Sequence, residues 1–439
     1  RRRGGSPGPR SRRRRLADVA ARAAVAPEDV VLVYDPLCDA AAQVHAAVES
    51  ENAMAPRRVA YCAVPSSDRA AVERLASHRG VVDPARLHRP QSATAVLPSG
   101  AVIEELEQDP GPLLRELRYR TCLEQPPPAE RAELERRFWE PLRALRAAGE
   151  GWWRAPAATE ALSRQLDEQG FVLIDGFLPD VQVRRLRACA EGLYQSSAMA
   201  SGATTGGSSR VGLPHRGDFV RWIGYGGSSE VESTVSELSS CVAEAIGVLQ
   251  VGAEHAGNAA VASALGGVRW CSEMMLTCYP GESRARYFRH TDNSSGNGRL
   301  LTGILYLNEG WREDHGGELR LFHPGEQNLR IKHEVEPIWN RLILFWSDSR
   351  CPHEVLSACQ DRYAATVWFY DKQNPSIPLF PLEDVLGARS LAAAAAAALP
   401  AVDDADRGHA EVAEGRPRAA SGASAPPPPA GAQPPAGAR

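Results

Sequence analysis

The sequence predicts an α+β protein whose larger part is an antiparallel β-barrel flanked by helices. Two observations carry this. Between Arg269 and Asp371, short β-branched and aromatic runs recur between Gly, Pro and Asn, the punctuation of antiparallel all-β structure. Ahead of them, Ala158 to Gly170 and Pro179 to Tyr194 space apolar residues at helical period on either side of a strand and turn, Phe171 to Leu178. With 439 residues, 43% of them hydrophobic, the chain can hold two or three domains and build a sizeable core.

Residues 1–27 are basic and alanine-rich: Arg1 to Arg3 and Arg12 to Arg15 precede the first acid, Asp18. That composition fits a transit peptide, a nuclear signal or a disordered basic tail. The first residue is Arg rather than Met, so a longer native start is also expected. Residues 28–125 read as a small α/β unit. Apolar runs at Val30 to Tyr34 and Arg58 to Val64 alternate with the helical stretch Ser67 to His78, and no phosphate loop or paired carboxylates give it a chemistry. Asp35 reads as a strand-end loop residue and His45 as a helix-surface histidine.

Pro126 to Pro128 open a helical linker, 126–157, containing a charged helix from Glu130 to Ala148. The barrel and its helices occupy 158–385, interrupted by a Gly/Ser/Thr-rich loop from Ser201 to Ser209. Its expected strands are Met274 to Tyr279, Leu301 to Leu307, Glu318 to Phe322, Arg341 to Phe345 and Arg362 to Tyr370. Residues 386–439 are an Ala/Pro-rich tail with too little apolar surface to fold.

A net charge of -4 offers no case for nucleic acid or a membrane surface, and the longest apolar tract, Leu391 to Leu399, falls well short of the ~18 residues a span needs. Nine scattered cysteines with no CxxC pair fit a reducing compartment. Cytoplasmic or nuclear residence is the expectation, with organelle targeting by the arginine-rich start as the alternative. Oligomeric state is open.

The chemistry sits in the barrel. His290-Thr291-Asp292 puts two ligand types two residues apart, and His353 follows the apolar strand Leu342 to Trp346. Two histidines and a carboxylate on neighbouring strands occupy one face of an octahedron and leave the other open, which suits an oxygen-activating Fe(II) rather than a closed zinc site. Nine residues after His353, alternation places Arg362, Ala364, Thr366 and Trp368 on one face of a strand. A guanidinium facing a barrel interior needs an anionic partner, and a dicarboxylate co-substrate supplies one. The same alternation groups Thr302, Ile304 and Tyr306, the phenol within reach of that carboxylate or serving as core packing.

These residues resemble the hypoxia-inducible-factor prolyl hydroxylases, in the prolyl 4-hydroxylase branch of the 2-oxoglutarate oxygenases. The likeness runs from Gly170 to Asp371 and includes Arg216-Gly217-Asp218, Trp222-Ile223, Cys278-Tyr279-Pro280-Gly281, Arg289-His290-Thr291-Asp292-Asn293, Gly316-Gly317, Pro352-His353-Glu354-Val355 and Arg362-Tyr363-Ala364. It implies a double-stranded β-helix (jelly-roll, cupin-like) core. It also implies Fe(II) on His290, Asp292 and His353, and 2-oxoglutarate held by Arg362, Tyr306 and Thr366 in a pocket lined by Tyr279 and Met275.

On the substrate side the resemblance implies Tyr287, Arg299 and Trp368, with Asp218 as ion-pair partner of Arg299 on a mobile loop. The implied reaction takes O2 and 2-oxoglutarate, releases succinate and CO2, and hydroxylates C4 of a proline in a protein or peptide, with ascorbate in support and oxygen sensing as the purpose. Arginine at 362, where collagen-type enzymes typically carry lysine, favours the oxygen-sensing branch. Against the family pattern there is one extra residue between Tyr279 and His290, and nothing in these residues matches its small zinc-finger domain.

Two rivals stand beside this reading: the same chemistry on another side chain or a small molecule, and a non-catalytic binding module, which would show a degenerate ligand set. His290, Asp292, His353 and Arg362 are all present. His315, His323 and His333 are expected in solvent. Cys351, two residues before a ligand, is either an oxidant-sensitive thiol or a buried inert one.

Overall fold

A computed structural model describes residues 123–387 apart from 203–215, 294–295 and 326–327, with Leu391 and Ala393 beyond. Ahead of 123 it describes 30–34, 41, 43–48, 61–65, 69–79, 87, 93–96, 102–103, 106, 113–114 and 119. The basic start, most of the Gly/Ser-rich loop and nearly all of the Ala/Pro-rich tail lie outside the described residues.

The first strands, β1 (Val30–Tyr34), β2 (Tyr61–Pro65), β3 (Ala93–Val96) and β4 (Val102–Ile103), form one sheet in the order β2-β1-β3-β4. β1 and β2 are parallel and the other pairs antiparallel, with a helix at Arg69–Arg79 between β2 and β3. The charged linker is helical from Pro128 to Arg146, with a π turn at Glu135–Trp139.

The main body begins with β5 (Phe171–Asp175) and continues through β6 (Ala200–Ser201), β7 (Phe219–Ile223), β8 (Trp270–Ser272), β9 (Met274–Tyr279), β10 (Tyr287–His290), β11 (Arg299–Tyr306), β12 (Leu319–Phe322), β13 (Ile331–Val335), β14 (Arg341–Trp346), β15 (His353–Val355), β16 (Arg362–Tyr370) and β17 (Leu379–Pro381). They make two antiparallel sheets: a larger one ordered β5-β14-β11-β16-β9-β7-β6, extended by β8 and β17, and a smaller one ordered β10-β15-β12-β13. From β9 to β16 the chain passes back and forth between the two sheets, apart from the hairpin β12–β13 within the smaller one, as in a double-stranded β-helix. All five strands expected from the sequence are present, with ends moved by no more than two residues.

The larger sheet has apolar residues on both faces. Tyr363, Ala365, Val367 and Phe369 of β16 join a core shared with the helices Pro156–Gln169, Asp180–Gln195, Glu230–His255 and Ala259–Gly266. Ala364, with Tyr279, Tyr306, Leu319, Leu321 and Ile343, belongs to a second core between the two sheets. The helix Glu230–His255 is fixed at its start by a capping box between Ser229 and Glu232. It crosses Pro156–Gln169 at Gly252, where a Cβ would stand 2.4 Å from the Thr159 carbonyl oxygen, so only glycine permits the approach.

Candidate active site

His290 ends β10 and His353 opens β15, and the two are direct cross-strand partners. Asp292 lies in the turn after β10, rather than two places along an extended strand, and the turn brings its carboxylate to the imidazoles. Oδ1 of Asp292 lies 3.6 Å from His290 Nε2 and 4.0 Å from His353 Nε2. Those spacings are within twice a metal–ligand bond of about 2.1 Å, so one ion can bridge each pair. Ligand atoms of all three residues fall within 4.8 Å of one another.

The tautomers suit a metal. His290 Nδ1 is 2.8 Å from the Phe288 carbonyl and His353 Nδ1 is 3.1 Å from the Cys351 carbonyl. Because a carbonyl only accepts, each Nδ1 carries the proton and each Nε2 keeps its lone pair. Burial pushes His353 down to about 4, with His290 beside it adding to the effect. Burial would raise Asp292, but contact with His290, His353 and Arg299 outweighs it and holds the carboxyl below the ordinary range.

Asp292 Oδ2 is already taken. It accepts Thr302 Oγ1 at 2.6 Å and Trp368 Nε1 at 3.1 Å, from residues that face each other across β11 and β16. Thr302 spends its single proton there, so the Ser347 hydroxyl, 2.9 Å away, donates to Thr302. That leaves Oδ1 as the carboxylate oxygen turned to the two imidazoles. The backbone carbonyl of Asp292 accepts Asn297 Nδ2 at 3.0 Å and Arg299 Nη1 at 3.3 Å. Thr302, Ser347 and Asn297 were not marked as site residues by the sequence, although alternation had put Thr302 on the inward face.

Deeper in the barrel, Arg362 is 4% exposed. Its Nε donates to the Gly317 carbonyl at 2.6 Å, and its Cζ lies 5.0 Å from both the Tyr279 and Tyr306 ring centroids. Gly317 takes φ of +79°, and a Cβ there would come within 2.7 Å of Arg362 Cδ. The Nη2 of Arg362 and the hydroxyl of Tyr306 are both buried without a hydrogen-bonding partner. Two unpaired donors on one wall are costly unless an acceptor is bound between them, and a carboxylate meets that need. Thr366 is buried two residues from Ala364 and cross-strand from Met275. Met275 packs with Trp368 and Tyr370.

At the mouth, the Tyr287 ring stacks on His290 at 3.9 Å. Arg299 lies 4.4 Å from the Trp368 ring and donates Nε to Tyr370 Oη at 3.0 Å. Trp222, 40% exposed, leans on Trp368 with centroids 5.5 Å apart. Asp218 departs from expectation: its fully buried carboxylate takes both Nε and Nη2 of Arg216, whose guanidinium lies 4.7 Å from the Tyr287 ring, and it does not pair with Arg299. Arg216, two residues before it, takes up both carboxylate oxygens instead.

One other expectation changes, and one open alternative narrows. His333 is packed against Trp139 and Phe171, with ring centroids 4.9 and 5.7 Å away, rather than free in solvent, and burial pushes it down to about 4. Cys351 is fully buried and its thiol pushed up to about 12, which fits the inert alternative.

Residues 274–370 match the family model described as the 2OG-Fe(II) oxygenase superfamily, so the barrel and its site are those of an Fe(II)- and 2-oxoglutarate-dependent dioxygenase. Over 221 residues the chain is 38% identical to prolyl hydroxylase EGLN3 of Homo sapiens, covering 49% of this chain and 85% of that relative. It is 31% identical over 215 residues to Egl nine homolog 1 of Homo sapiens, covering 49% of this chain and 47% of that one. The chain belongs to the prolyl hydroxylase family that these relatives represent. Among solved structures it is similar to a prolyl hydroxylase in complex with a hypoxia inducible factor oxygen degradation domain peptide fragment from Trichoplax adhaerens, at 34% identity over 49% of this chain and 90% of that chain, with a TM-score of 0.40.

Proposed function

We propose that this chain hydroxylates C4 of a prolyl residue in a protein substrate, consuming O2 and 2-oxoglutarate and releasing succinate and CO2, with ascorbate sustaining turnover. The substrate class is a proline-containing peptide segment of a protein, as the likeness to prolyl hydroxylases supports. The observation that carries the co-substrate reading is the pair of buried, unpartnered donors on Arg362 and Tyr306, which ask for a carboxylate.

His290, Asp292 through Oδ1, and His353 would hold the iron, which when bound supplies the oxygen activation that no side chain can perform. Arg362, Tyr306 and Thr366 would fix the distal carboxylate of 2-oxoglutarate, with Tyr279 closing the pocket. Thr302 and Trp368 keep Asp292 in one orientation before any ligand arrives. Tyr287, Arg299, Trp368 and Trp222 form the wall that a peptide would meet, and Asp218 supports it by anchoring Arg216 beneath Tyr287.

The test is succinate formation with Fe(II), 2-oxoglutarate and ascorbate, with and without proline-containing peptides, in wild type and His290→Ala. Peptide-stimulated turnover with one oxygen gained on proline, absent from the variant, is expected. Iron-dependent turnover with oxygen found on another residue type would overturn the prolyl assignment.

A further inference from the structure

The residues beside the two metal-site histidines face away from the barrel and into the N-terminal region. β10 shifts register between Tyr287 and His290. Simple alternation would put these two on opposite faces, yet their rings stack. The irregularity turns both inward, the re-aiming that β-bulges perform beside active sites. Phe288 is thereby turned outward. Its ring is 6% exposed and belongs to the core built by Val30, Leu32, Tyr34, Ala95 and Leu113, where it is the one member from beyond residue 123 among the described residues. Its carbonyl is the acceptor that orients His290 Nδ1. One residue therefore plugs the N-terminal core and sets the tilt of an imidazole.

A second tie grips the partner strand. In β15, His353 faces the barrel and Glu354 the other side. Glu354 Oε2 accepts the Tyr119 hydroxyl at 2.7 Å, while Oε1 accepts Arg320 Nη1 at 2.8 Å. Because His290 and His353 are cross-strand partners, Phe288 and Tyr119 fasten both halves of the pair to the N-terminal region.

We infer that the N-terminal region is the backing of the metal pair: through Phe288 and Tyr119 it holds the two imidazoles at the spacing one ion needs and so sets how tightly that ion is kept. This rests on reading His290, Asp292 and His353 as metal ligands, and on nothing at Arg362 or the peptide wall. Phe288 and Tyr119 are positioning residues. A histidine whose carbonyl partner can drift samples other tilts, and metal binding must then pay to order it.

The test is titration of the full-length, metal-free chain with Co(II), read by its visible absorption band and by the rate of loss to a chelator, with thermal unfolding followed alongside. Phe288→Ala should weaken Co(II) binding by about tenfold or more and alter the band. Phe288→Leu, which refills the core, should restore most of both. Tyr119→Phe should show a smaller loss of the same sign, and Val181→Ala, on an exposed helix surface, none. If Phe288→Ala does not fold, Tyr119→Phe carries the test. Wild-type affinity and spectrum in folded Tyr119→Phe, and in Phe288→Ala where it folds, would overturn the inference while leaving the metal ligands intact. His290→Ala binding Co(II) as wild type does would instead remove the metal reading, and the inference with it.

Discussion

Replacing Arg362 with methionine separates the proposed carboxylate clamp from the proposed metal ligands. Methionine keeps an unbranched stem where Arg362 Cδ packs on Gly317, but removes the fork whose Nε is held by the Gly317 carbonyl and whose Nη2 has no partner. Truncating one member of a buried, hydrogen-bonded charge pair costs about 2–5 kcal/mol. At about 1.4 kcal/mol per tenfold, the KM for 2-oxoglutarate should rise by roughly 30-fold at the low end and past roughly 1,000-fold at the high end. Tyr306→Phe removes one donor to a charged acceptor, about 1.5–3 kcal/mol, and should raise KM by roughly 10- to 150-fold. The assay is succinate formed against 2-oxoglutarate concentration at saturating Fe(II), with Co(II) binding checked separately. A KM for Arg362→Met within about threefold of wild type, well below the range expected for a buried pair, would place the carboxylate elsewhere and refute the clamp.

Thr302→Val takes the shorter of the two hydrogen bonds from Asp292 Oδ2, and metal affinity measured by Co(II) titration should fall by about 10- to 100-fold. Asp218→Asn leaves Arg216 as a buried charge without its carboxylate and should cost about 3–5 kcal/mol in denaturant unfolding. For His333, the folded pKa lies below the unfolded one, so its stabilising contribution is complete above about 6.5 and is lost as pH falls through about 4. That loss is at most about 3 kcal/mol, and His333→Phe should flatten the fall of Tm over this window. Cys351→Ser should leave the peroxide response of the enzyme unchanged, since the buried thiol stays protonated; a lost response would contradict its burial.

How far the sequence was legible depended on length and on which face a residue's neighbours cover. β16 spans nine residues, and its alternation correctly separated Arg362, Ala364 and Thr366 from Tyr363, Ala365 and Val367. β10 and β15 hold four and three residues, too short for any period to show, and β10 is irregular as well. The 26-residue helix from Glu230 to His255 went unread because its buried residues, among them Ala243, Ala245, Ile246 and Gly247, lie nearly all around it, although Ser229 and Glu232 spell its start. Charged partners were the least legible. Asp218 and Arg299 carry opposite signs, but only the fold shows Arg216 standing closer and Arg299 turned to Trp368. His333 reads as polar and exposed until Trp139, on the π turn of the linker, is seen covering its strand.

The placement of Asp292 in a turn raises a physical problem that its neighbours answer. A turn carboxylate is ordinarily free to swing, whereas catalysis needs its ligand oxygen held before the reaction begins. Here Thr302 and Trp368, both on the central strands of the larger sheet, fix Oδ2, and Asn297 and Arg299 fix the backbone carbonyl of the same residue. The turn is thus clamped to β11 and β16 at two atoms. Arg299 and Trp368 also stack on each other at the mouth, so the wall proposed to meet a peptide is built from the same groups that hold Asp292 in place.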